Sequence, residues 1–356
     1  MYAIDCSSKA RESTLIEMTT LKEIAEAVGC SSATVSRALN GDLRISAQRR
    51  EQVNNEAIRL GYQANQLARS LRRQKIGYVG VIIPNLTNSY YTYCLAHLTD
   101  RLTARGLHAV LGCHNFDASL DATLIQSLIN REVDGLLHVP CTKEGIEGVL
   151  KTIDIPVIEI VQRSASRGVD AVYVDNAKGI AEIVRYLHGL GHRRIVMIAG
   201  RREVLGVDAQ ARGFLGAVKE IGLSTSTCTI EHLPANRHDC SDRIELCLDG
   251  PAELRPTAII AAHYFAVTAA LSVFRVRGMQ LPDDISLVAF SNDDWFDVSS
   301  PPVTTFEHPF RSMSNVATQL LLTRLQPHPD HPSKPEFIEF DGRMLERVSA
   351  GPPAVS

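Results

Sequence analysis

The sequence predicts an α/β protein in which a small three-helix head precedes a large body of doubly wound parallel sheets. Three observations carry this prediction. Residues 18–63 hold three short segments with apolar residues at helical spacing, separated by tight turns. Beyond residue 76, short apolar runs alternate with helical patterns, which is how parallel sheets read in sequence. The charge divides too: between Met18 and Lys75 ten Lys and Arg face five acids, whereas the chain as a whole carries −3. A basic module on an acidic body is what a nucleic-acid-binding head on a soluble core gives. At 356 residues the chain exceeds one ordinary core.

The head is legible helix by helix. Thr20-Leu21-Lys22-Glu23 reads as a capping box, and Leu21, Ile24, Ala25 and Val28 follow at helical spacing. Gly29 supplies a residue able to turn with positive φ, and Ser31 is placed to cap a second helix with Val35, Ala38 and Leu39 inward. So tight a joint, with a slim second helix, reads as a helix-turn-helix whose second helix fits a major groove about 12 Å wide. Ser46 caps a third helix running through Leu60, with Val53, Ala57 and Leu60 inward and Gly61 as its stop.

In the body, strands are expected at Tyr78–Ile83, Gly135–Val139, Val157–Val161, Ile195–Ala199, Ala258–Ala262 and Ile285–Phe290. Helical patterns such as Leu95, Leu98, Leu102 and Leu120, Leu124, Leu128 fall between them. In such folds ligands bind beyond the carboxyl ends of the strands, so a site belongs in the segments that follow.

Several classes are disfavoured. No uninterrupted apolar run of about 18 residues exists to span a bilayer, and the N-terminus lacks the apolar core and cleavage site of a signal peptide. A cytoplasmic location is expected. Eight cysteines without a C-x-x-C pair read as reduced packing residues rather than a disulfide framework or zinc site, and no metal or cofactor is expected. The phosphate-binding glycine motifs, G-x-S-x-G and H-E-x-x-H are all missing, so an enzyme is not expected.

T-L-K-E-I-A-x-x-x-G-x-S-x-x-T-V-S-R-x-L-N from Thr20, then I-S-x-x-x-R-x-x-V and L-G-Y-x-x-N-x-x-A-R-x-L, resemble the head and hinge of the LacI/GalR family of bacterial transcription regulators. The resemblance continues through V-G-V-I-I-P-N-L-T-N-S-Y-Y, V-D-N-x-x-G, L-P-x-D-I-S-L-V-A-F and P-P-V-T-T. It implies a helix-turn-helix domain at 18–63 and a hinge helix and linker at 64–75. It also implies a body of two periplasmic-binding-protein-like subdomains, at 76–174 with 309–335 and at 175–308 with 336–350. Residues 1–17 read as a disordered extension, with Met18 as the alternative start. The implied function is a repressor that binds a palindromic double-stranded operator as a homodimer under a small effector, with an activator of the same build as the alternative. No trailing leucine heptads follow the body, so a tetramer is not expected.

The resemblance places Ser32 and Ala33 at the variable reading positions, Arg37 at a base-contacting arginine, and Thr34, Ser36 and Asn40 near phosphates. Leu21, Lys22, Ser31, Ser46 and Arg49 complete the DNA-facing set in the head. In the hinge, Tyr62, Asn65 and Ala68 fall on the family pattern, with Leu71 as a minor-groove wedge. Ala64 stands where the family usually has proline, which costs about 0.4 to 1 kcal/mol of hinge ordering.

For the effector the expected set is Asn88, Tyr90, Arg163, Gln210, Arg212, His263, Ser291, Trp295 and His308. It departs from the family's sugar-gripping pattern. His263-Tyr264 replaces the usual Asn-Asp, Ser291-Asn292 replaces Asp-Asp, and Gln210 stands at the usual arginine. Carboxylates grip adjacent hydroxyls in a way that neutral histidine or serine does not reproduce. The expected effector is therefore a carbohydrate-like compound, polyol or anionic metabolite bound in an altered way. The alternative is a site lost or replaced by a protein co-regulator.

Overall fold

The computed structural model describes residues 20–39, 42, 44–60, 76–142, 146–150, 153–166, 168–234, 236–326 and 334–354. The expected extension at 1–17, Asn40, and the hinge residues Tyr62, Asn65, Ala68 and Leu71 lie outside these. The chain divides into two units, Met1–Ile76 and Gly77–Ser356.

The first unit contains helices α1 (Leu21–Val28), α2 (Ser32–Leu39) and α3 (Ala47–Arg59). The capping box forms: Thr20 N donates to Glu23 Oε2 at 2.7 Å, and Glu23 N donates to Thr20 Oγ1 at 3.4 Å. Gly29 ends α1 at φ +68°, a left-handed conformation that costs glycine no Cβ clash. Ser31 Oγ accepts from Thr34 N at 3.1 Å and Ser46 Oγ from Arg49 N at 3.3 Å, so both predicted caps are in place. Ile24, Ala25, Val35, Ala38, Val53 and Ala57 form one small core joining all three helices.

The second unit holds two six-stranded sheets. The first has the order β11-β5-β4-β3-β1-β2, with β1 (Tyr78–Ile83), β2 (His108–Cys113), β3 (Gly135–His138), β4 (Val157–Val161), β5 (Asp170–Val174) and β11 (Phe337–Phe340) all parallel. Alternate residues of β1 serve opposite faces. Val79, Val81 and Ile83 pack against α4 (Ser89–Thr103) and α12 (Phe310–Leu325), and Ile82 packs against α5 (Ala118–Asn130). The short α6 (Glu147–Leu150) lies between β3 and β4 in the chain.

The second sheet has the order β12-β10-β9-β8-β6-β7. Its members are β6 (Ile195–Ala199), β7 (Cys228–His232), β8 (Ala258–Ala261), β9 (Ser286–Ala289), β10 (Thr304–Glu307) and the antiparallel β12 (Arg343–Leu345). Helices α7 (Asn176–Gly189) and α8 (Leu205–Glu220) cover one face, and α9 (Arg237–Leu248) and α10 (Tyr264–Arg277) cover the other. The one-turn α11 (Trp295–Val298) follows β9. Helices on both faces explain why the inner strands β6, β8 and β9 read as continuous apolar runs. At the α7–α8 crossing the backbones nearly touch: a Cβ at Gly213 would lie 2.2 Å from the Ala177 carbonyl oxygen.

The chain passes between the lobes three times, between Val174 and Asn176, between Glu307 and Phe310, and between Phe340 and Arg343. The last passage corrects an expected boundary. Residues from 336 were assigned to the second subdomain, yet β11 pairs with β5 in the first sheet. A clamp fixes it there: Asp170 accepts from Arg324 Nε and Nη2, both at 2.8 Å, and from Glu336 N at 2.7 Å. No helix among the described residues is long and apolar enough to cross a membrane.

Candidate functional site

The head presents its second helix as the reading element. Val35 and Ala38 of α2 are buried, while Ser32, Ala33 and Arg37 are exposed and Thr34 and Ser36 half-buried. A stripe of small side chains around one arginine is thereby turned away from the core. Lys22, Ser31 and Ser46 are also exposed, whereas Leu21 packs against the head core. Arg49 Nη1 donates to Val28 O at 3.1 Å, satisfying a carbonyl at the end of α1 and tying α3 to α1.

In the body, a cleft of about 360 Å³ opens between the lobes at the carboxyl ends of the strands. The first lobe contributes Asn85, Thr87, Asn88, Tyr90 and Tyr91 after β1, Asn115 and Phe116 after β2, and Gln162 after β4. The second lobe contributes Asn176, Arg201, Val204, Val207, Gln210, His263, Phe265, Phe290 and Ser291. The structure thus brings together Asn88, Tyr90, Gln210, His263 and Ser291 from the expected set.

Four expected residues do not line the cleft. Arg163 lies beyond a turn at the end of β4, and its guanidinium covers the Phe337 ring at 3.6 Å. Arg212 is two positions past Gln210 on α8, about 200° around the helix; it is exposed and paired with Asp208. Trp295 packs its indole on Phe296, with ring centroids 4.4 Å apart, against the second-lobe core. His308 sits behind the wall in an aromatic box, 4.9 Å from Tyr90, 4.8 Å from Phe290 and stacked on Phe310 at 5.6 Å.

Gln162, Asn176, Asn115, Phe116 and Arg201 were not in the expected set. Each follows or closely follows a strand, and that position is the signal that would have found them. Gln162 reaches the cleft through local strain. Val161, a β-branched residue, adopts φ +71°, and Gln162 N donates to Ile160 O at 2.8 Å, closing a γ-turn. Gln162 Nε2 then donates to Pro140 O at 2.6 Å, which fixes the side chain.

The cleft's polar groups are incompletely satisfied by protein. Asn176 Oδ1, Gln210 Oε1, His263 Nε2 and Ser291 Oγ are sealed from solvent and have no hydrogen-bond partner in the structure. Buried polar groups left in this way cost about 1–3 kcal/mol each. A bound molecule that met several of them would recover that energy. Charge is scarce: among the described lining residues there is no Asp or Glu, and Arg201 is exposed at the rim. Neither carboxylate after Ser291 lines the cleft: Asp293 is buried with Oδ2 unpartnered, and Asp294 N donates to Tyr93 Oη at 3.4 Å.

Burial pushes His263 down to about 4 and His308 down to about 3, and also lowers His114 and His192. All four are neutral at pH 7 in the folded chain, whereas the unfolded chain takes up protons near pH 6.5. The native state therefore binds fewer protons, and stability falls as pH drops from about 6.5 towards the folded values. Urea denaturation at pH 7 and pH 5 is expected to show this loss. His308→Phe should flatten the slope by up to about 1.4 kcal/mol per pH unit, and an unchanged slope would remove His308 as a contributor.

A head presenting one slim helix, in one chain with a two-lobed body holding a ligand-sized cleft, defines a DNA-binding regulator of the ligand-controlled kind. Residues 20–65 match the model for bacterial regulatory proteins of the lacI family, and residues 184–349 match the periplasmic binding protein-like domain. The regulator DegA of Bacillus subtilis is 28% identical over 303 residues, covering 83% of this chain and 88% of that protein. The repressor CytR of Escherichia coli is 25% identical over 308 residues, covering 86% and 90%. In fold, the lac repressor dimer bound to operator and the anti-inducer ONPF superposes with a TM-score of 0.83 at 20% identity, covering 94% of this chain and 100% of that one. The chain matches the LacI/GalR family of bacterial transcriptional regulators in its head, in its relatives and in its fold. It is a sequence-specific DNA-binding transcription regulator.

Proposed function

We propose that two copies of this chain bind a palindromic operator in the cytoplasm and repress transcription, with a small molecule in the interlobe cleft setting their affinity for DNA. The observation that carries this reading is the combination of an outward-facing α2 with a cleft whose buried polar atoms lack protein partners. On the DNA side Arg37 supplies the strongest base contact, since arginine pairs bidentately with guanine. Ser32 and Ala33 stand over neighbouring bases, while Thr34, Ser36, Asn40 and Lys22 position the helix on phosphates. In the hinge, Leu71 acts as the wedge, with Asn65 and Ala68 on the same stretch and Tyr62 beside it.

Coupling follows from the three passages between the lobes. A molecule that touches Asn88 and Tyr90 on one lobe and Gln210 and His263 on the other biases the angle between them. Rotation of the first lobes in a dimer would then separate or join the two hinges.

The assembly is testable by mass photometry of the full chain on a duplex carrying an inverted repeat. Two chains per duplex are expected, with affinity falling steeply as salt rises. One chain per duplex at saturation would contradict the dimeric operator reading.

A further inference from the structure

The chemistry of the cleft goes further than its existence, and the next step rests on the reading of that cleft as the effector site. Four of the six carboxamides lining it, Asn85, Asn88, Gln162 and Gln210, have one end committed to protein, which fixes the end each offers. Asn85 Oδ1 accepts from Thr87 N at 3.1 Å and Asn88 N at 3.0 Å, and Asn88 Oδ1 accepts from Tyr90 N at 3.1 Å. These two offer their NH₂ groups. Gln162 donates through Nε2 to Pro140 O at 2.6 Å, and Gln210 through Nε2 to Ala262 O at 3.4 Å. These two offer carbonyl oxygens.

His263 adds a donor of fixed sense. It caps α10, its Nδ1 accepting from Ala266 N at 3.3 Å, so in the neutral ring the proton is on Nε2. That Nε2–H is sealed and unpartnered beside the unpartnered carbonyl of Gln210, which is itself 8% exposed. The second-lobe wall therefore sets an acceptor and a donor on one surface. With no carboxylate among the described lining residues, nothing there neutralises a cation or grips a diol bidentately. A cation would lose its hydration with little return, and Arg201, the one charged side chain among the described lining residues, is exposed at the rim rather than at the second-lobe wall. Aromatic side chains stand on both lobes, Tyr90 and Phe116 on one and Phe265 and Phe290 on the other. They favour a flat unsaturated body over a ring with a hydroxyl on nearly every carbon.

We propose that the cleft takes an uncharged, flat heterocycle with a ring N–H beside a ring carbonyl, the lactam edge found in nucleobases and nucleosides, in preference to a free sugar. The N–H meets the Gln210 carbonyl and the lactam oxygen accepts from His263 Nε2–H. The amide NH₂ groups of Asn85 and Asn88 face the opposite edge.

Calorimetric titration of the full chain with uracil, uridine, D-ribose and D-glucose tests this. Uracil, uridine or both are expected to bind saturably and at least about 10-fold more tightly than either sugar. A sugar that binds as tightly as the heterocycles, or no binding by either heterocycle, overturns the proposal. His263→Asp keeps an acceptor for the helix cap but replaces the donor in the cleft, and Gln210→Met removes the carbonyl. Each should cost about 10-fold in heterocycle affinity with circular dichroism unchanged, and unchanged affinity in both overturns the assignment. Operator binding, measured on the same preparations, separates the two levels. Retained DNA binding with a preference for sugar refutes the ligand class alone, whereas loss of specific DNA binding by the wild-type chain refutes the regulator reading beneath it.

Discussion

Arg37→Ala is expected to weaken binding to the preferred operator by about 5- to 150-fold, the equivalent of about 1–3 kcal/mol for one lost bidentate contact. The effect should be concentrated at one symmetric pair of base positions, because α2 offers little else that is strongly directional. Ser32 has a hydroxyl that accepts either partner, and Ala33 has a methyl group suited only to thymine. Nonspecific binding should change much less, since a single charge alters the salt slope by about one unit. Fluorescence anisotropy on the operator, on single-position variants and on random duplex measures both quantities. An unchanged base preference would remove Arg37 from the readout. The head should remain folded, because Arg37 is exposed while the core rests on Ile24, Val35, Val53 and their neighbours.

Leu71→Ala is expected to act differently and more strongly on specificity. A leucine wedge unstacks one base step at the operator centre, and the bent duplex then meets more protein surface. Removing it should reduce specific binding by about 100-fold or more, the order of a lost kink together with the contacts that depend on it, while random duplex is bound about as before. Parallel anisotropy and gel-bend measurements distinguish the outcomes, since equal losses on both duplexes would defeat the wedge assignment. With alanine at position 64 rather than proline, the hinge is expected to draw more of its ordering free energy from DNA. The contrast between specific and nonspecific binding should therefore be large.

The head was legible because its signals are local. A cap, an apolar stripe and a glycine turn each act within one helix, and Thr20, Ser31, Ser46 and Gly29 all appear in those roles. The six expected body strands were legible for a different reason: both faces of each are covered, so they read as unbroken apolar runs. Strands such as β2 (HAVLGC) and β7 (CTIEH) escaped because they lie at sheet edges, where exposure breaks the pattern. The strand FIEF looks the same whichever sheet it joins, and its place depends on a clamp between Arg324, Asp170 and Glu336 that no local pattern announces.

The cleft was half legible. The rule that ligands meet the carboxyl ends of strands led to Asn88, His263 and Ser291. Side-chain direction was beyond it: Arg163 and Arg212 stand close in sequence to cleft residues yet point away, and Gln162 points in only because Val161 accepts a strained φ. The change in chemistry was visible from residue types alone, as carboxylates gave way to His263 and Ser291. The orientation of the cleft's amides could be seen only once the committed ends of Asn85, Asn88, Gln162 and Gln210 were known.

The central claim is that this chain reads a two-fold symmetric DNA sequence through α2. Selection of bound duplexes from a random library by the purified full chain tests it most directly. Enrichment of an inverted repeat with two identical half-sites about a fixed centre is expected, with loss of preference at one symmetric pair of positions in Arg37→Ala. Enrichment of a single asymmetric site, or of no sequence at all, would contradict it.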